Sequence, residues 1–168
     1  MSLAQSLLPE IDEEMANTRR LLERVPEDQP DWRPHPKSMK LSRLAHHVVE
    51  TPFWGCNALR LDSLDVGSFD PTRVTHMTTR AALLEEFDKN VGDFRAALEK
   101  ASDEVLMQTW TLLFKGKAMF SLPRIAVIRK FGISHMIHHR AQLGVYLRLL
   151  AIPIPGLYGP SADEGRPS

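Results

Sequence analysis

The 168-residue chain has one cysteine, no net charge, and no apolar run near the length of a membrane span. A single cysteine cannot close an internal disulfide, so nothing ties the fold to an oxidising compartment. Lys plus Arg and Asp plus Glu balance at 21 each, which leaves no broad positive field to steer the chain onto nucleic acid. No stretch approaches the ~20 apolar residues that cross a bilayer. The opening Met1-Ser2-Leu3-Ala4-Gln5 is soon followed by Glu10, Asp12, Glu13 and Glu14. That pattern lacks the basic region, apolar core and cleavage site of a secretory signal, so the expected protein is soluble and cytoplasmic. Also missing are a Gly-rich phosphate loop, a serine nucleophile elbow, a Cys-x-x-Cys pair and any internal repeat. With 43% hydrophobic and 25% charged residues, the composition is that of one globular domain large enough to bury its own core.

Helical periodicity dominates what is there. Leu7, Ile11, Met15, Thr18, Leu22 and Val25 recur at three- and four-residue steps, which predicts a helix from about Leu3 to Val25. Four prolines between Pro26 and Pro36 make the next stretch an irregular connection. A second helix is expected from Ser38 or Lys40 to Leu61, its inward stripe being Leu41, Leu44, His47, Val48, Thr51, Trp54 and Ala58. Pro52 lies inside it and predicts a kink or break near Val48. Residues 62–77 read as loop. A third helix starts at Thr78 or Thr79 and carries Leu83, Phe87, Val91, Phe94 and Leu98 toward Ala101. Residues 107–121 read as a short hairpin or an extended loop around Lys115-Gly116-Lys117. The last helix, from Pro123 to Leu150, is apolar on most sides and is expected to be the most buried. Four long helices with long connections suggest an all-α four-helix bundle over residues 1–152, followed by a Pro- and Gly-rich surface tail at 153–168.

Five of the seven histidines fall within two of these helices. His135 and His139 are four apart, so both rings share one helix face and can share one ion. His138, three from His135, competes by geometry. The stripe Gly132, His135, His139, Gln142, Tyr146 favours His139, because His138 falls in the row of Ser134, Ala141 and Val145. On the second helix, His47 lies on the core-facing stripe and His46 on a more mixed face. A zinc-protease helix needs Glu after its first histidine, yet Met136 follows His135, and no histidine has the Glu three residues before it that di-iron bundles use. Cys56 lies nine residues beyond His47, roughly 13 Å along a helix, too far to share its ion.

Leu44-Ala45-His46-His47-Val48-Val49-Glu50-Thr51-Pro52-Phe53-Trp54 resembles the second-helix signature of the DinB-like (DinB/YfiT) superfamily. There a histidine is followed by two residues, a Glu, and then Pro-x-Trp, a register that falls on His47. Ser134-His135-Met136-Ile137-His138-His139-Arg140-Ala141-Gln142-Leu143 resembles the family's last-helix motif, whose ligands fall on His135 and His139. The segment from Ile152 to Glu164 resembles the tail of many members. The resemblance implies a four-helix bundle of the DinB/YfiT-like type with a three-histidine metal site, often in a homodimer. It does not imply the DNA polymerase that shares the DinB name. Some relatives are transferases that use bacillithiol, mycothiol or glutathione, and many have no settled activity.

Three histidines without a fourth protein ligand leave a position open, as in catalytic rather than structural zinc sites. Zinc or nickel is the first expectation and iron or copper the next, since imidazole suits all four. Such an ion lowers the pKa of a bound thiol or water, so the leading expectation is transfer of a low-molecular-weight thiol to a small electrophile. Hydrolysis and non-catalytic metal binding in a stress response are the alternatives. Glu50, one turn from His47, is placed to orient that imidazole or act as a base, against the plainer reading of a solvated surface glutamate. Arg140 and Gln142 are candidate substrate contacts, and Trp54, Trp110 and Tyr146 are candidate pocket walls.

Overall fold

A computed structural model describes residues 2–68 and 79–164. The first helix, α1, spans Leu3–Leu22 and starts on Ser2, whose hydroxyl accepts from Gln5 N while the Gln5 side chain accepts from Ser2 N. The second, α2, covers Leu41–Arg60 and passes unbroken through Pro52. Proline has no N–H to give Val48, and the Thr51 hydroxyl donates to that carbonyl instead, at 2.7 Å. This substitute donor accounts for the continuity, so the break that was one of the two expectations there does not occur.

Helix α3 spans Arg80–Glu99, capped by the Thr79 hydroxyl accepting from Ala82 N. A short helix, α4 (Asp103–Met107), leads into strands β2 (Thr109–Phe114) and β3 (Lys117–Pro123). These two pair antiparallel, and β1 (Ser63–Asp65) adds to β2 in parallel. The chain is therefore mostly helical with a three-stranded sheet, which corrects the all-α expectation. Lys115 and Gly116 make the hairpin turn with φ of 50° and 76°, the left-handed pair that matches strand twist. Asp65 pins that turn, accepting from the backbone N–H groups of Gly67, Lys115 and Gly116 at 2.7–2.9 Å.

The last helical run begins with α5 (Arg124–Val127), widens into a π-helical segment over Ile128–Ser134, and continues as α6 (His135–Leu149). A widened turn inserts one residue and shifts the register of everything after it, and such turns recur at functional sites. Helix α3 packs on α2 and α1, and α6 packs on the same two, so the core lies among four long helices. Leu7, Ile11, Leu44, Val48, Phe87, Phe94, Leu143 and Leu147 fill it. The expectation that α6 is the most buried helix does not hold along its whole surface. Val145 and Leu149 are each 59% exposed, on the side that also carries His138. No helix among the described residues is long and apolar enough to cross a membrane.

The tail is fastened to the helices. Arg140, 1% exposed, forms an ion pair with Glu14 at 2.7 Å and donates to the Glu14 carbonyl and the Thr18 hydroxyl. The Tyr158 hydroxyl accepts from Arg140 and donates to the Glu14 carboxylate. Arg148 pairs with Asp163 at the other end of the segment.

Candidate metal centre

Two elements supply the cluster, α2 giving His47 and α6 giving His135 and His139. Gly55 and Gly132 face each other where these helical stretches meet. A Cβ on Gly132 would lie 3.7 Å from the Gly55 backbone, and one on Gly55 would strike the Phe94 ring at 2.4 Å. The missing side chain at Gly55 is what lets α2 sit against Phe94 of α3, while at Gly132 a Cβ would make only ordinary contact.

His47 Nε2 lies 3.0 Å from His135 Nε2. The ring centroids are 4.4 Å apart for His47 and His139 and 4.5 Å for His135 and His139. One nitrogen from each of the three lies within 4.8 Å of the others. Two ligands of a tetrahedral ion at about 2.0–2.1 Å stand roughly 3.3 Å apart, so the spacing fits a shared ion. Orientation fits as well. His47 Nδ1 is 3.1 Å from a Glu50 carboxylate oxygen, and His139 Nδ1 is 2.8 Å from Gln142 Oε1. Both oxygens only accept, so each Nδ1 carries the proton and each Nε2 keeps its lone pair for the cluster.

The electrostatics favour the neutral form of His135 and His139. Burial, reinforced by repulsion from His139, His47 and His138, pulls the His135 pKa down to about 4. Burial also lowers His139, partly offset by its hydrogen bond to Gln142. A neutral ring is the form that ligates.

Glu50 is not a solvated surface residue. Its carboxylate accepts from Arg43 at 3.0 Å, from His46 at 3.1 Å and from His47 at 3.1 Å. Burial alone would raise its pKa, but hydrogen bonds from His46, His47 and Arg43 outweigh that and hold it well below the usual carboxylate range. So weak a base suits orientation of His47 better than proton abstraction near neutral pH. Arg43, His46, His47 and Glu50 follow an i, i+3, i+4, i+7 pattern on α2. That spacing was available in the sequence as a sign of the network.

The remaining candidates divide. His46 is buried and held by Glu50, while His138 is exposed, its ring 4.9 Å from that of His139. His35 is exposed, and His76 lies outside the described residues. Cys56 is buried nine residues beyond His47 on α2, where burial raises its thiol pKa. Arg140 faces α1 and the tail rather than the cluster. Tyr146 is taken up elsewhere, donating to the Met39 carbonyl and meeting the Trp32 ring edge-on at 5.5 Å. Trp54 does belong to an aromatic wall, 5.9 Å from Phe131, which stacks on Phe120 at 5.3 Å and lies 6.5 Å from His135. Trp110 is fully buried behind Phe120. Phe131 and Phe120 escaped sequence reasoning, because the π-helical segment and the hairpin register that aim them leave no periodic mark.

The model of the DinB superfamily matches residues 10–143. A solved structure of a DinB-like protein from Bacillus cereus aligns with a TM-score of 0.72 at 20% identity, covering 92% of this chain and 97% of its own. A DinB-like protein from Bacillus subtilis aligns with a TM-score of 0.69 at 18% identity, covering 90% and 97%. At these identities the two structures speak for the fold. No curated protein matches the chain.

Proposed function

The chain belongs to the DinB superfamily, and from that premise we propose that His47, His135 and His139 hold one divalent metal ion, zinc or nickel first, in a transferase that uses a low-molecular-weight thiol. The observation that carries the metal reading is the convergence of three imidazoles, two of them fixed from behind by Glu50 and Gln142. Oxygen partners on the far ring nitrogen are the usual accompaniment of metal-ligating histidines. A divalent ion bound there supplies Lewis acidity that lowers the pKa of a thiol or water at its open position.

The chain's own residues do the rest. Glu50 holds the His47 proton on Nδ1, with Arg43 and His46 holding Glu50 in turn. Trp54, Phe131 and Phe120 offer an apolar wall beside His135 for the carbon part of an electrophile. In the transfer an S–C bond forms as the leaving group departs with its electron pair, and the thiol proton goes to solvent. The reading includes a cytoplasmic homodimer, supported by the exposed Val145 and Leu149 on α6, and no nucleic-acid partner, supported by the balanced charge.

The test is conjugation of bacillithiol, mycothiol or glutathione to an aryl halide. Metal-loaded protein is expected to speed it, and chelation or His139→Ala to abolish the gain. In the cobalt-substituted protein a thiolate charge-transfer band is expected on adding the active thiol. If no thiol gives the band and none is consumed above background, the transferase reading falls while the metal site stands on its own measurement.

A further inference from the structure

A cavity of about 500 Å³ opens between the first turns of α2 and α3 and the end of α1. Its walls combine two chemistries. Val25, Ala45 and Leu83 are apolar and buried. Lys40, Arg43 and Arg80 are cationic. Two carboxylates also line it, against three cations. Glu27 accepts from the Arg80 backbone N–H at 2.6 Å, and Asp31, 77% exposed at the rim, holds Lys40 at 2.7 Å. Arg43 and Arg80 are the lining cations whose guanidiniums neither carboxylate holds. Arg43 gives one N–H to Glu50, and its other N–H groups have no partner among the described residues. Arg80 has no side-chain partner among them either.

A lining that mixes apolar residues with an excess of cations over carboxylates matches a carboxylate carried on a short aliphatic chain. We propose that this cavity is a second ligand site, one that takes a small aliphatic carboxylate on Arg43 and Arg80 with its chain against Val25 and Leu83. The site is linked to the histidine cluster. Arg43 holds Glu50, and Glu50 holds the His47 imidazole, so a ligand that engages Arg43 draws on the group that orients His47. The inference does not depend on a metal ion or on thiol transfer.

The experiment uses the full chain without metal, so its outcome is separate from that of the transferase reading. Calorimetry is run with hexanoate and with hexanamide, a neutral molecule of nearly the same shape. Hexanoate is expected to bind at least about tenfold more tightly than hexanamide, and Arg80→Gln to remove about that tenfold preference. In NMR spectra the His47 ring signal is expected to shift on saturation with hexanoate in the wild-type chain and to stay put in Arg43→Gln. Circular dichroism checks that both variants fold, and should Arg43→Gln unfold, Arg80→Gln still carries the binding result. Equal binding of acid and amide, no binding of either, or an unchanged preference in Arg80→Gln would overturn the site. An immobile His47 signal in the saturated wild-type chain would overturn the link.

Discussion

An imidazole ligates only while neutral, and His135 is held neutral down to about pH 4 by burial and by its histidine neighbours. In the unfolded chain it returns to its ordinary 6.5. Between these values the unfolded state takes up a proton that the folded state refuses, so the metal-free protein loses stability as pH falls from about 6.5 to about 4. His139 acts in the same direction. Glu50 acts in a lower window, because its depressed pKa gives stability that is lost only on acidification below its ordinary 4.5. The expected outcome is a melting temperature that declines across the upper window, less steeply in His135→Gln. Parallel curves for the two proteins would contradict it. At this scale the sequence was informative about the cluster: spacing and the inward stripe favoured His135, His139 and His47, the register of the family-like motifs fell on the same three, and the structure brings them together. It was less informative about Glu50, because one turn from His47 also describes a surface residue. What sets Glu50 apart is simultaneous contact with Arg43, His46 and His47.

Among the elements, α2 shows how a local rule is overridden by a neighbouring side chain. Pro52 removes a donor inside the helix, and Thr51, fully buried, replaces it at the Val48 carbonyl. Thr51→Val keeps the shape and removes the donor, leaving that buried carbonyl short of a partner. The expected cost is about 1–3 kcal/mol of unfolding free energy, measured by urea denaturation. A change within error would mean that the carbonyl is satisfied another way. Helix positions were readable because three- and four-residue periodicity persists over twenty residues in α1, α2 and α3. The sheet was not fully readable. A hairpin at residues 107–121 was one of two expectations there, but β1 is only three residues long, Ser63–Asp65, in a stretch with turn composition. It is held by its pairing with β2 and by the grip of Asp65 on the hairpin turn, both long-range. The π-helical segment was equally hidden, since nothing in the residue pattern of Ile128–Ser134 distinguishes a π-helix from an α-helix.

For the whole molecule, the expectation of an apolar last helix acquires a location. Val145 and Leu149 stand exposed on α6, opposite the face that carries Leu143 and Leu147 into the core. If this face joins two copies, light scattering at micromolar concentration gives twice the 19.0 kDa chain mass, and Val145→Glu with Leu149→Glu returns it to one. A wild-type monomer would contradict the dimer. The charged clasp at Arg140, Glu14 and Tyr158 shows why family-like residues need not touch a ligand: this arginine, one position from His139, ties α6 to α1 and the tail.

The central claim is that three particular histidines out of seven form one ion site. Competition titration of zinc and nickel into the metal-free chain, with stoichiometry by elemental analysis, tests it most directly. The account predicts one ion per chain. It predicts severe loss of affinity in His47→Ala, His135→Ala and His139→Ala, and near-wild-type binding in His46→Ala and His138→Ala. Tight binding that survives His139→Ala but vanishes in His138→Ala would contradict it.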